Sequence, residues 1–305
     1  MMEIFRLPSE NGIPPLSVHR QKRDGAPVLY VHGASFPAAL SVGYRFQGRS
    51  WMDDLNARGF DAWGLDFAGY GASARYAEMD GPQAGNAVGR APVAAKQIAR
   101  VAAFIAQATG RPRLSIIAHS WGTIPAALFA IAHPERIERL CLFGPVVERD
   151  APDDGAGTPD PCWHLVTIAQ QHARFVADVP QGHAPVLIEP ELEQWGPTYL
   201  ATDPQAFDRE PPSVKIPFGP MSDAKEAWTG KLAYRPQNIP CPTLLVRGEW
   251  DSVTNDDDAQ WLLSRITHPV RADAKIPKGT HLMHLEWSRD GLFAAVGDFL
   301  SREKE

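Results

Sequence analysis

The chain has 305 residues, 44% of them hydrophobic and 22% charged, and a formal net charge of −6. This composition excludes a disordered or fibrous chain, and the acidic balance leaves no basic footprint for nucleic acid or an anionic membrane. Three scattered cysteines, Cys141, Cys162 and Cys241, make neither a disulfide framework nor a zinc-finger spacing.

The N-terminal residues lack a basic region followed by an apolar run, and no apolar stretch approaches bilayer length. The expectation is a cytoplasmic protein without nucleic-acid or membrane partners, acting on a small molecule, with self-association left open. Short strands are expected near Ile4–Leu7 and Leu16–Arg20, around a turn at Asn11-Gly12. The run Val28-Leu29-Tyr30-Val31 is continuously apolar, as in a strand covered on both faces, and it ends in His32-Gly33-Ala34-Ser35-Phe36. A helix is expected over Phe46–Arg58 with Gly59 as its stop, then a strand over Phe60–Phe67 that runs into Ala68-Gly69-Tyr70-Gly71-Ala72-Ser73. The glycines there lack the G-x-G-x-x-G spacing of a phosphate cradle. A helical pattern follows over Val88–Ala108.

Leu114-Ser115-Ile116-Ile117-Ala118-His119-Ser120-Trp121-Gly122 then reads as strand, sharp turn and the start of a helix, which continues over Ile124–His133 to Pro134. A serine on such a turn has a strained backbone, and the helix behind it offers amide hydrogens to an anion. A sixth strand is expected over Arg139–Val147. From Glu148 to Pro240 the composition shifts: fourteen of the chain's 28 prolines fall there, with no strand–helix alternation in the sequence. The α/β pattern resumes with a strand at Pro242–Arg247 and continues with a strand at Ala274–Pro277 and a final helix over Ser288–Leu300.

The segment Ala118-His119-Ser120-Trp121-Gly122 resembles the nucleophile elbow of the α/β-hydrolase family, with alanine in place of the usual first glycine. The resemblance implies an α/β fold with a mostly parallel eight-stranded sheet flanked by helices and a cap inserted after strand six. The core would be residues 1–147 and 241–305, and the cap 148–240. His32-Gly33 lies where the family places its oxyanion loop, which implies oxyanion donors at the amides of Ala34 and Trp121, with His32 as support. Asp66-x-x-Gly-x-Gly-x-Ser resembles the loop after the family's fourth strand, with Asp66 structural. Gly248-Glu249-x-Asp251 resembles the end of its seventh strand, and Gly279-Thr280-His281 follows the eighth.

Ser120, Asp251 and His281 thus stand in the chain order of an α/β-hydrolase triad, each at the carboxyl end of its own strand. Some family members carry the acid after strand six, which keeps Glu148 and Asp150 as alternatives to Asp251. Phe36, Trp163, Trp195 and Trp228 are the candidates to line an apolar pocket above Ser120. Glu189, Glu191 and Glu193 read as a solvated edge rather than an amine site. His281-x-x-His284-x-Glu286 fits the family's loop without metal; no metal and no cofactor is expected.

A serine rather than an aspartate at the elbow argues against haloalkane dehalogenase and epoxide hydrolase chemistry. The Ser-Trp-Gly step resembles prolyl aminopeptidases, but their His-Gly-Gly-Pro-Gly loop is replaced by His-Gly-Ala-Ser-Phe. The reading is therefore a serine hydrolase of a small hydrophobic ester or lactone. Amidase, thioesterase and C–C hydrolase chemistry use the same machinery, and a non-catalytic ligand-binding member is the alternative from another class.

Overall fold

A computed structural model describes residues 2–152 and 159–302. An eight-stranded sheet forms the centre of the molecule. β1 (Met2–Leu7) and β2 (Leu16–Gln21) form an antiparallel hairpin. After them come β3 (Pro27–Val31), α1 (Trp51–Ala57), β4 (Asp61–Asp66), α2 (Ala91–Thr109), β5 (Leu114–His119), α3 (Thr123–Ala132) and β6 (Ile137–Phe143). The strand order is β1-β2-β4-β3-β5-β6, extended at the far edge by β9 (Thr243–Gly248) and β10 (Arg271–Ile276). Beyond the hairpin and the antiparallel β2–β4 contact, every pairing is parallel. The connections therefore cross over the faces.

Alternate residues of the buried strands face opposite layers, as the pleat requires. Leu29, Val31, Ile116 and Ala118 join the cluster under α2 and α3, which also takes Leu262 of α7 (Asp256–Arg265). Val28, Tyr30 and Ile117 join the opposite cluster, under Trp51 of α1 and Phe293, Val296 and Phe299 of α8 (Arg289–Leu300). Helices cover both faces, so the sheet's strand ends are left to carry the chemistry. Among the described residues no helix is long and apolar enough to cross a membrane.

Two expectations need correction. The first helix begins at Trp51 rather than near Phe46, because Gln47 and Gly48 take positive φ of 51° and 78° and make a tight turn between Phe46 and Arg49. Ser50 then caps the helix, exchanging hydrogen bonds with Asp53 in a capping box. The region between β6 and β9 also has more regular structure than its sequence suggested. It contains β7 (Trp163–Thr167), α4 (Ile168–Val176), α5 (Trp195–Leu200), β8 (Ser213–Pro217) and α6 (Gly219–Trp228), with β7 and β8 paired antiparallel. These strands lie far apart in the sequence, so no local turn announces their pairing.

Candidate active site

Strand β5 delivers Ser120 into a left-handed conformation, φ +55°, which a non-glycine residue adopts only under constraint from its surroundings. The constraint is close packing against β3: a Cβ built at Gly122 would stand 2.3 Å from the carbonyl oxygen of His32. Only glycine fits there, and α3 starts immediately behind the turn. The Ser120 hydroxyl lies 2.8 Å from Nε2 of His281, on the loop after β10. The other ring nitrogen, Nδ1, lies 3.1 Å from both carboxylate oxygens of Asp251, just after β9. Three strand ends thus converge in one hydrogen-bonded chain.

Each member is held from behind. Asp251 Oδ1 accepts the amides of Val253 and Thr254 at 2.8 and 3.1 Å. Gly144, at φ +53°, passes so close that a Cβ would stand 2.8 Å from His281 Nδ1 and 3.0 Å from Asp251. No contact of Glu148 or Asp150 with His281 exists among the described residues; the carboxylate at the imidazole is that of Asp251. The carbonyl of His281 accepts Nε2–H of His119 at 3.0 Å, so the residue before the serine braces the backbone of the histidine. Burial, assisted by His284 and His281, keeps His119 well below its ordinary pKa, and burial beside His281 lowers His284 to about 3. Both are neutral imidazoles under the site. His284 stacks on Phe36, while Glu286 turns to Thr280 and Ser288.

The loop 32–36 is fixed by its carbonyls. Nδ1–H of His32 donates to the carbonyl of Gly33 at 2.7 Å, Tyr70 to that of Ala34 at 2.7 Å, and Gln171 to that of Ser35 at 3.2 Å. Because C=O and N–H point oppositely across a trans peptide, the Ala34 amide faces away from His32. Nε2 of His32 accepts the amide of Phe67, which requires the neutral ring, and burial lowers this histidine to about 4. Asp66 sits in the same bracing. Its burial would raise its pKa, but His19 at 2.9 Å, His32 and the amide of Ala72 hold it below the usual carboxylate range, and the amide of Ala38 also donates to it.

Above Ser120 lies a cavity of about 230 Å³. Ala34, Trp121 and His281 line its floor, and Phe36, Val146, Phe175, Met221, Trp228 and Val253 make apolar walls. Two of the four expected pocket aromatics are therefore present, Phe36 and Trp228. Trp195 is not: it is fully buried one layer behind, ringed by Phe36, Phe175 and Tyr199, with its indole donating to the carbonyl of Leu40 at 3.0 Å. Trp163 is not either: it lies on β7 under the ammonium of Lys215, 4.2 Å from the ring centre, and donates to Gly81. The sequence missed Arg174 and Met221, whose neighbours on α4 and α6 gave no hint of a cavity.

The intervening segment is fastened to the elbow itself. Asp223 of α6 accepts the indole N–H of Trp121 at 2.8 Å, the amide of Ala91 at 2.7 Å and Nε of Arg90 at 2.5 Å. Burial raises the Asp223 carboxyl, against the stabilising contacts of Arg90 and Trp121. Glu189 is likewise structural, accepting the amides of Gln194 and Trp195 where α5 begins, while Glu191 and Glu193 are exposed.

A doubly covered, mostly parallel sheet with a serine elbow and with histidine and acid at neighbouring strand ends defines an α/β-hydrolase. Residues 44–288 match the family model described as "Serine aminopeptidase, S33", and the chain belongs to that hydrolase family. No curated protein matches the sequence significantly. Among solved structures, it is similar to a thioesterase domain from the curacin biosynthetic pathway (17% identity, 99% of this chain and 100% of that one, TM-score 0.65). It is also similar to the 2-hydroxy-6-oxo-6-phenylhexa-2,4-dienoate hydrolase of a Rhodococcus species (18%, 99% and 100%, TM-score 0.64). A third is a serine hydrolase from Cycloclasticus zankles (17%, 98% of each chain, TM-score 0.63). At such identities these likenesses speak for the fold.

Proposed function

We propose that the chain is a serine hydrolase that cleaves a small, largely hydrophobic carboxylic ester or lactone through an acyl-enzyme. The observation that carries the reading is the chain of contacts from Ser120 through His281 to Asp251 at the floor of an apolar cavity. A serine hydroxyl is a weak nucleophile at neutral pH. Nε2 of His281 accepts its proton as the oxygen attacks the substrate carbonyl, and Asp251 fixes the tautomer and stabilises the imidazolium. The amides of Ala34 and Trp121 receive the oxyanion, each donor contributing roughly 10²–10³ in rate. His281 then protonates the leaving alcohol, and a water activated by the same imidazole releases the acid.

In this reading residues 1–147 and 241–305 are the catalytic core, and 148–240 act as a cap that shapes the pocket. The family's name points to peptides, but among the described residues no carboxylate lines the cavity to receive a substrate amine, and Glu189, Glu191 and Glu193 lie outside its lining. The test is a p-nitrophenyl ester of a short acid. A burst of p-nitrophenol is expected, Ser120→Ala removes the activity, and a fluorophosphonate probe labels Ser120 when the adduct is mapped by mass spectrometry. A label on another residue, or activity retained in Ser120→Ala, overturns the assignment.

A further inference from the structure

The cavity over Ser120 contains one feature that hydrolysis of a neutral ester does not use. Among the described residues that line it, Arg174 has the only permanent charge. Arg174 shares the cavity lining with His119, Ser120 and His281. It projects from α4 beside Phe175, one turn past Gln171, which anchors the helix to the carbonyl of Ser35. On one side Nη1 contacts Asp178 Oδ2 at 3.3 Å, and Asp178 is itself held by the hydroxyl of Ser252 at 2.6 Å. Ser252 directly follows Asp251 in the chain. The arginine is thus positioned from the same strand end that positions His281.

The opposite edge of the guanidinium, Nε and Nη2, has no partner among the described residues. That edge presents two parallel N–H groups in the geometry that a carboxylate takes up bidentately. From this juxtaposition we infer that the substrate carries a carboxylate, bound by Arg174 while its ester carbonyl lies at Ser120. The inference rests on the hydrolase reading and names its substrate class: an ester or lactone bearing a separate acid group on an otherwise apolar frame. A doubly charged phosphate fits less well. The neighbouring carboxylate of Asp178 opposes a second negative charge, and among the described residues no other permanent cation lines the cavity to offset it. A substrate ammonium, as at a peptide N-terminus, would face like charge.

The experiment uses esters matched in length that differ by a terminal carboxylate, with the acid placed on either side of the scissile bond. One pair is mono-p-nitrophenyl adipate against p-nitrophenyl hexanoate. The other is 4-(carboxymethyl)phenyl acetate against 4-ethylphenyl acetate. In at least one pair the acid is expected to be favoured roughly tenfold or more in kcat/KM. Arg174→Met brings that ratio close to one, chiefly through KM, and Arg174→Lys retains part of it. A wild-type ratio near one in both pairs, or an undiminished ratio in Arg174→Met, overturns the inference and leaves the hydrolase reading intact. A second arm separates the two. Hexanoate and hexanamide are titrated into Ser120→Ala protein while tryptophan fluorescence is followed, since Trp121 and Trp228 line the cavity. If no ester turns over but hexanoate binds in preference to hexanamide, and Arg174→Met in that background abolishes the preference, the carboxylate site stands and the hydrolase reading falls. No preference in this arm and no turnover in the other ends both.

Discussion

The floor and the roof of the cavity are built by different physics. On the floor, Ser120, Asp251 and His281 come from strand ends, and polar contacts set their positions: the brace from His119, the amides behind Asp251, the tied carbonyls of loop 32–36. The roof comes from the segment between β6 and β9, and apolar rings dominate it, with Phe175 and Trp228 over Ser120 and Trp195 behind them. Hydrogen bonds demand geometry within a few tenths of an ångström, whereas apolar contact tolerates substitution of similar volume. The floor should therefore lose turnover when altered, and the roof should lose affinity or stability.

The sharpest break of that contrast is Asp251→Asn. It retains the shape of the floor but removes the charge that holds His281, and kcat is expected to fall about 10⁴-fold with little change in KM, read from steady-state kinetics on an activated ester. A loss below tenfold would show that the imidazole does not depend on that carboxylate. Next come two tryptophans that the sequence treats alike. Trp195→Ala removes a fully buried ring and is expected to cost roughly 3–5 kcal/mol of stability, measured by denaturant unfolding. Trp228→Ala opens the cavity wall and should raise KM several-fold while unfolding shifts less. Reversed outcomes would exchange their assignments.

The smallest effect tests the loop that carries His281. Burial pushes the Glu286 carboxyl up to about 7, against hydrogen bonds from Thr280 and Ser288 that lower it. Below its ordinary 4.5 both folded and unfolded chains hold the proton, and this group contributes no pH dependence. Between 4.5 and about 7 only the folded chain keeps it, so through this residue stability falls as pH rises across that window and is flat above it. Glu286→Gln should flatten this part of a plot of Tm against pH. An unchanged slope would mean that the carboxyl ionises in the fold at an ordinary pH.

The same division explains what was legible in the sequence. Continuous apolar runs such as Val28–Val31 and Ile116–Ala118 identify strands covered on both faces, and the small residue at 122 is required by a contact that any such elbow makes. The start of α1 is hard to read because its periodic apolar residues begin before the cap, although Ser50-x-x-Asp53 marks it. In the intervening segment, Thr167-x-x-Gln170 marks the start of α4 in the same way, and Pro220 that of α6. What the sequence withholds there is which void each side chain faces. A tryptophan is driven inward equally by a core and by a pocket, so the sequence alone does not separate Trp195 and Trp163 from Trp228. Arg174 shows the converse: a charged residue on an amphipathic helix reads as solvated until the neighbouring elements close around it.

The indole of Trp121 gives its only N–H to a side chain of α6, although its own backbone belongs to the elbow. Replacing the segment between β6 and β9 with one from a relative would leave that donor buried without an acceptor unless a carboxylate or carbonyl returned to the place of Asp223. Variation in this region is consequently chained to position 121: a graft that changes specificity has to bring its own acceptor, or take a residue at 121 that needs none.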